Sequence, residues 1–160
     1  MIANLKTFAA TVILSLALVS FSFGSAIVAH TPPERGLLAG ITDQFNMQRA
    51  SVDRSPLVWD PLIAAVAQSW TIVLQCDGSN FGHNPGADSI PNFCGEIVGI
   101  GFITLQDFMN SVVAERQYMK NDLCSELSLC GHYSIMTNAN ATRVGCGVNA
   151  CNVWVCDFAR

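Results

Sequence analysis

Cys130-Gly131-His132-Tyr133 follows Glu115 at short range and precedes two segments ending in cysteine, Gly145-Cys146 and Val155-Cys156. A histidine and a carboxylate on neighbouring elements of a cleft have two chemical uses. A neutral imidazole nitrogen can ligate a divalent metal, and an imidazole can form a hydrogen-bonded ion pair with the acid. Hydrolytic signatures are missing, since the chain has neither an H-E-x-x-H helix nor a G-x-S-x-G elbow. Ser134 or Cys94 as a nucleophile would need a base that spacing alone does not supply.

The elements that must hold these groups can be read from periodicity. Thr104 and Asp107 fit a capping box, and the helix they open carries a stripe of Leu105, Phe108, Met109, Val112 and Met119. Glu115 falls on that same face. A carboxylate there turns inward and needs a partner or a cavity, because burying it alone is costly. Asp60 as N-cap and Pro61 at the first helical position start another helix, striped by Leu62, Val66, Trp70 and Val73. Leu38, Ile41 and Phe45 predict a helix from Gly36 to about Ala50. Between Cys76 and Cys94 the Gly, Asn, Asp and Pro content reads as a long loop.

The C-terminal thirty residues change period. Tyr133 to Thr137, Thr142 to Val148 and Asn152 to Phe158 are expected as three short strands, the final pair joined around Asn149 and Ala150. Both faces of the last strand are apolar, so both need covering. The economical solution is an α+β fold, a three-layer α-β-α sandwich with a small antiparallel sheet between helices.

Lys6, the apolar run from about Phe8 to Phe23 and Gly24-Ser25-Ala26 form a secretory leader over residues 1–26. The run is short for a membrane span. Residues 27–36 are an extended lead-in, leaving 37–160 as one domain. The expectation is a secreted, extracellular protein with no stable membrane span after leader removal. The net charge of −4 is mild, with 8 Lys and Arg against 12 Asp and Glu, and no basic, aromatic-interleaved stretch suggests nucleic acid. Seven cysteines follow the leader at separations of 18, 30, 6, 16, 5 and 5 residues. In an exported chain these form a disulfide framework rather than a zinc ribbon. An odd count leaves one over, and six cysteines allow about 15 pairings.

Leu57-Val58-Trp59-Asp60, Leu62, Ala67, Trp70, His83, Gly95-Glu96, Glu115, Cys130-Gly131-His132-Tyr133, Gly145-Cys146, Cys151 and Cys156, taken in order, resemble the CAP superfamily of cysteine-rich secretory proteins, antigen 5 and plant pathogenesis-related proteins of class 1. The resemblance implies the same sandwich and a central cleft holding His83, Glu96, Glu115 and His132. It also implies the pairs Cys76–Cys151, Cys124–Cys130 and Cys146–Cys156, with Cys94 unpaired. The chain departs from the family pattern at Gly95-Glu96-Ile97, where Gly-Glu-Asn is usual, and at His132-Tyr133-Ser134-Ile135, where His-Tyr-Thr-Gln is usual. Both changes make the cleft rim more apolar.

No cofactor is required by this reading. A divalent cation such as zinc is the optional guest of His83 and His132. The leading functional expectation is a non-enzymatic protein that binds a small apolar ligand, such as a sterol or fatty acid, or an extracellular protein partner in defence or host interaction. The glycine-flexed run Ile97-Val98-Gly99-Ile100-Gly101-Phe102-Ile103 is the candidate ligand segment, with Ile97, Ile100, Phe102 and Ile103 as its contacts. A metal-dependent hydrolase or protease using the His/Glu cleft and a pure protein-recognition factor are the alternatives. Asn140-Ala141-Thr142 is a glycosylation sequon, with Asn140 as the acceptor.

Overall fold

The computed structural model describes residues 34–160. The expected leader, and the lead-in as far as residue 33, lie outside them. Three layers are present. A four-stranded sheet of order β1-β3-β4-β2 is built from β1 (Val58–Trp59), β2 (Phe93–Ile100), β3 (Arg143–Val148) and β4 (Val153–Ala159). Helix α2 (Pro61–Val73) covers one face, while α1 (Ile41–Ala50), α3 (Leu105–Ala114) and α4 (Leu127–Met136) cover the other. The pairings β2–β4 and β3–β4 are antiparallel, and the two-residue β1 adds a parallel edge to β3.

Alternation along β4 distributes the two cores. Trp154, Cys156 and Phe158 enter the larger one with Phe45, Phe108 and Tyr133, while Val153 and Val155 face Ala67 and Leu74 on the α2 side. Trp154 stacks on Phe108 at 4.9 Å between ring centroids. Its indole N–H donates to the Phe102 carbonyl at 2.8 Å, which satisfies the one polar atom the ring buries. Close approach is what seats α2. A Cβ at Gly145 would run into the backbone nitrogen of Ala64, and one at Gly147 into Cα of Gln68. Two glycines on β3 therefore let a helix backbone lie directly on the sheet.

The helix starts follow the sequence closely. Asp60 caps α2 by accepting from the backbone N–H groups of Leu62 and Ile63, and Thr104 and Asp107 form the reciprocal capping box of α3. Three expectations need correction. The first helix begins at Ile41, after a separate 3-10 turn at Gly36–Leu38. The third helix ends at Ala114 and tightens into a 3-10 turn over Glu115–Tyr118, which leaves Met119 in extended backbone. Tyr133 to Thr137 is not a strand. Its residues belong to the end of α4, where Cys130, Tyr133 and Met136 at a spacing of three bury one helical face.

The three disulfides are Cys76–Cys151, Cys124–Cys130 and Cys146–Cys156, and Cys94 is free. Buried Arg49 closes the α1 end of the larger core. Its guanidinium donates to four backbone carbonyls, those of Ser55, Met136, Asn138 and Ala141, at 2.8–3.0 Å. No helix among the described residues is long and apolar enough to cross a membrane.

Candidate functional site

Glu96 lies on β2, an edge strand, just past a register shift between Phe93 and Gly95. Gly95 takes φ 145°, and Ile135 of α4 packs against the space where its side chain would be. The 83–84 segment lies within reach of Glu96. Its Oε1 accepts from Nδ1 of His83 at 2.7 Å and from the backbone N–H of Asn84 at 2.9 Å. The carboxylate is buried, whereas the His83 side chain is 67% exposed. With Nδ1 committed as a donor, Nε2 is the ring nitrogen left for a ligand, an acceptor when the ring is neutral. The pair lines a cavity of about 310 Å³ with Ala87, Asp88, Phe93 and Ile135.

Glu115 and His132 form the second pair. The 3-10 turn after α3 places the Glu115 carboxylate beside α4, where Oε1 meets Nδ1 of His132 at 2.6 Å and Oε2 accepts from the Tyr133 backbone N–H at 3.0 Å. The tetrad is thus two histidine–glutamate couples, each glutamate held by an imidazole and by one backbone amide. Among the described residues no three His, Cys, Asp or Glu side chains are grouped to hold one metal ion.

One acidic residue of this site went unnoticed in the sequence. Asp157 sits opposite Glu96 in the β2–β4 register and is fully buried. Burial first, then the charge of the adjoining Glu96 carboxylate, push the Asp157 carboxyl up to about 8. The available signal was a lone acid inside Val153–Ala159, a strand apolar on both faces.

The candidate ligand residues are not brought together. Ile97 enters the larger core, while Ile100 points to the opposite face of the sheet with Val98. Phe102 packs its edge on Phe108 at 5.7 Å, and Ile103 is exposed. Larger apolar spaces lie along α2. Because β1 stops at Trp59, β3 from Cys146 to Val148 borders an open groove of about 480 Å³ with Leu38, Trp59, Ala64, Ala65 and Gln68. On the other flank Ala65, Val66, Trp70 and Val73 line a second groove of about 380 Å³. Asn140 is exposed in the turn before β3.

The sequence profile of the cysteine-rich secretory protein (CAP) family matches residues 42–158. The chain belongs to this family. Pathogenesis-related proteins 1A and 1C of Nicotiana tabacum are 30% and 32% identical over 142 and 143 residues, each alignment covering 86% of this chain and 81% of the relative. Glioma pathogenesis-related protein 1 of Mus musculus is 30% identical over 110 residues, which cover 62% of this chain and 41% of that protein. Among solved structures, hookworm platelet inhibitor superposes with a TM-score of 0.62 at 14% identity, covering 79% of this chain and 72% of the other. Venom allergen-like protein 4 of Schistosoma mansoni gives 0.59 at 19%, covering 76% and 86%. Both carry the CAP fold, and at these identities the likeness is one of fold. Ile135 lines the cavity of His83 on the side of α4.

Proposed function

We propose that this CAP protein is secreted and non-enzymatic, and that it binds a small apolar ligand such as a sterol or fatty acid along helix α2. The observation that carries the reading is the groove at the open edge of β3. At about 480 Å³ it falls within the size range of small-molecule sites, about 300–1,000 Å³. Its walls are mostly hydrocarbon, with Arg35 and Gln68 as polar markers. Helix α2 has no charged residue in its thirteen positions and exposes Leu62, Ile72 and Val73. An apolar surface of this kind on a secreted chain favours a hydrophobic guest. The names of the tobacco relatives support a setting in defence or host interaction.

The test is titration of delipidated protein with fatty acids of increasing chain length and with a sterol, using displacement of a fluorescent fatty acid. Affinity should rise with chain length, since each buried methylene contributes about 0.8 kcal/mol before ordering costs. Exposed Ala65 borders both grooves, so Ala65→Trp should lower affinity at least about tenfold, roughly 1.4 kcal/mol, in a folded protein. Equal binding by wild type and folded Ala65→Trp would overturn the site. No uptake of any lipid by wild type would overturn the function.

A further inference from the structure

Among the described residues, three buried carboxyl oxygens have no hydrogen-bond donor facing them, namely both oxygens of Asp157 and Oε2 of Glu96. The two residues are directly opposed on β4 and β2, on the face that carries Val155 and Val98. If both were ionised, two like charges would adjoin in the core and every one of these oxygens would be an orphaned acceptor, a costly state. A single shared proton changes that. It turns two facing acceptors into a donor and an acceptor, the solution carboxyl pairs adopt when they cannot both ionise.

The geometry also says which residue holds the proton. Oε1 of Glu96 already accepts from His83 Nδ1 and from the Asn84 amide, and such hydrogen bonds favour the ionised form. Asp157 has no comparable donor. The other ionisable groups on this side of the sheet do not supply one. Helix α2 carries none. Arg143 on β3 is taken up by Asp60 and by the carbonyls of Pro91 and Arg160. Asp88 lines the cavity beside His83 and can add only further negative charge.

We propose that Asp157 is a neutral carboxylic acid whose hydroxyl donates to Glu96 Oε2, making it the positioning residue of the His83–Glu96 pair. The resulting chain runs from the Asp157 O–H to Glu96 Oε2, and from Glu96 Oε1 to the His83 Nδ1–H. Glu96 is held from behind as a single anion in one rotamer. His83 is fixed in the tautomer that presents Nε2 as an acceptor, so a ligand entering the cavity meets it with a hydroxyl or amide donor. The position also couples folding to protons. Asp157 is protonated in the folded chain and ionised in the unfolded chain between its two pKa values, so folding takes up one proton across that window.

The experiment is side-chain carboxyl carbon NMR of the folded wild-type chain from pH 4 to pH 9, alongside urea unfolding of wild type and Asp157→Asn over the same range. The Asp157 carboxyl carbon should keep the shift of a protonated acid at pH 6, and Glu96→Gln should move its titration to lower pH. Relative to Asp157→Asn, the wild-type folding equilibrium constant should fall about tenfold per pH unit over the window in which only the folded chain holds the proton. Asp157→Asn keeps a donor, so the ¹⁵N shifts of His83 should still show a protonated Nδ1. In Asp157→Ala that signature should be lost. An Asp157 carbon already ionised at pH 5, parallel pH profiles for wild type and Asp157→Asn, or an unchanged His83 signature in folded Asp157→Ala would overturn the proposal. The carbon titration uses the native chain and decides the proton's location even if a variant fails to fold.

Discussion

Arg49 donates from Nη1 to the Met136 carbonyl at 2.8 Å, joining α1 to the last residue of α4 across 87 positions of chain. The same guanidinium satisfies the carbonyls of Ser55, Asn138 and Ala141. Burial lowers its pKa. No carboxylate is among the partners, so the charge is stabilised by oriented backbone dipoles. Arg49→Ala would orphan these carbonyls and open a cavity beneath them, and should cost about 3–5 kcal/mol. Arg49→Lys cannot span the fork and should recover less than half of that. Urea unfolding followed by circular dichroism measures both.

Gly147 is irreplaceable for a different reason. Its missing Cβ is what allows Cα of Gln68 to sit on the strand, and Gln68 then uses its amide to bond both the N–H and C=O of Val148. Gly147→Ala pushes α2 outward and breaks that edge cap, a loss of about 3 kcal/mol or more. Gly101→Ala, with nothing near its absent Cβ but φ +86°, should cost only about 1–2 kcal/mol. If the two variants melt alike, close packing of α2 is not what constrains Gly147.

Acid should weaken the domain through Asp60. Burial opposes its ionisation, but hydrogen bonds from Arg143, Ile63 and Leu62 outweigh that and hold the carboxyl below its ordinary value of 3.8. A depressed folded pKa means that the stabilisation is complete above the unfolded value and is lost as pH falls through the folded one. Asp60→Ala, which removes both the cap and the Arg143 partner, should cost about 2 kcal/mol at pH 7. The gap from wild type should narrow as the pH falls below that ordinary value and through the lower folded one. Paired denaturant titrations at pH 7 and pH 2.5 read the difference.

Cysteine chemistry gives a count. One thiol, that of half-buried Cys94, should react with a disulfide reagent in the unreduced unfolded chain, and seven should react after reduction. Reduction of Cys76–Cys151, which closes a loop of 75 residues, should cost about 4 kcal/mol on the chain-entropy account. Two or more free thiols before reduction would contradict the pairing.

Local signals made some of the fold legible. Asp60-Pro61 and Thr104 with Asp107 fix helix starts through bonds within three residues, so α2 and α3 could be placed without tertiary information. Helix α4 could not. Gly131-His132-Tyr133-Ser134-Ile135 mixes glycine, aromatic and β-branched residues, and its helicity depends on burying Cys130, Tyr133 and Met136 against distant elements. Strand β2 was hidden because both its faces are covered and its glycines resemble a linker. At the site, the inward turn of Glu115 followed from periodicity, and the family likeness supplied the two histidines. Asp157 escaped because a cross-strand register, which no local pattern encodes, is what sets it against Glu96.

The Cys76–Cys151 bond has one more consequence, for a chain exposed to proteases. It joins the segment after α2 to the β3–β4 turn, so a peptide bond cut anywhere between these two cysteines leaves both fragments covalently attached. The largely exposed stretch from Asp77 to Phe81 is the natural place for such a nick. A protein clipped there would migrate as one species without reductant and as two with it, and α2 would remain tethered to its sheet.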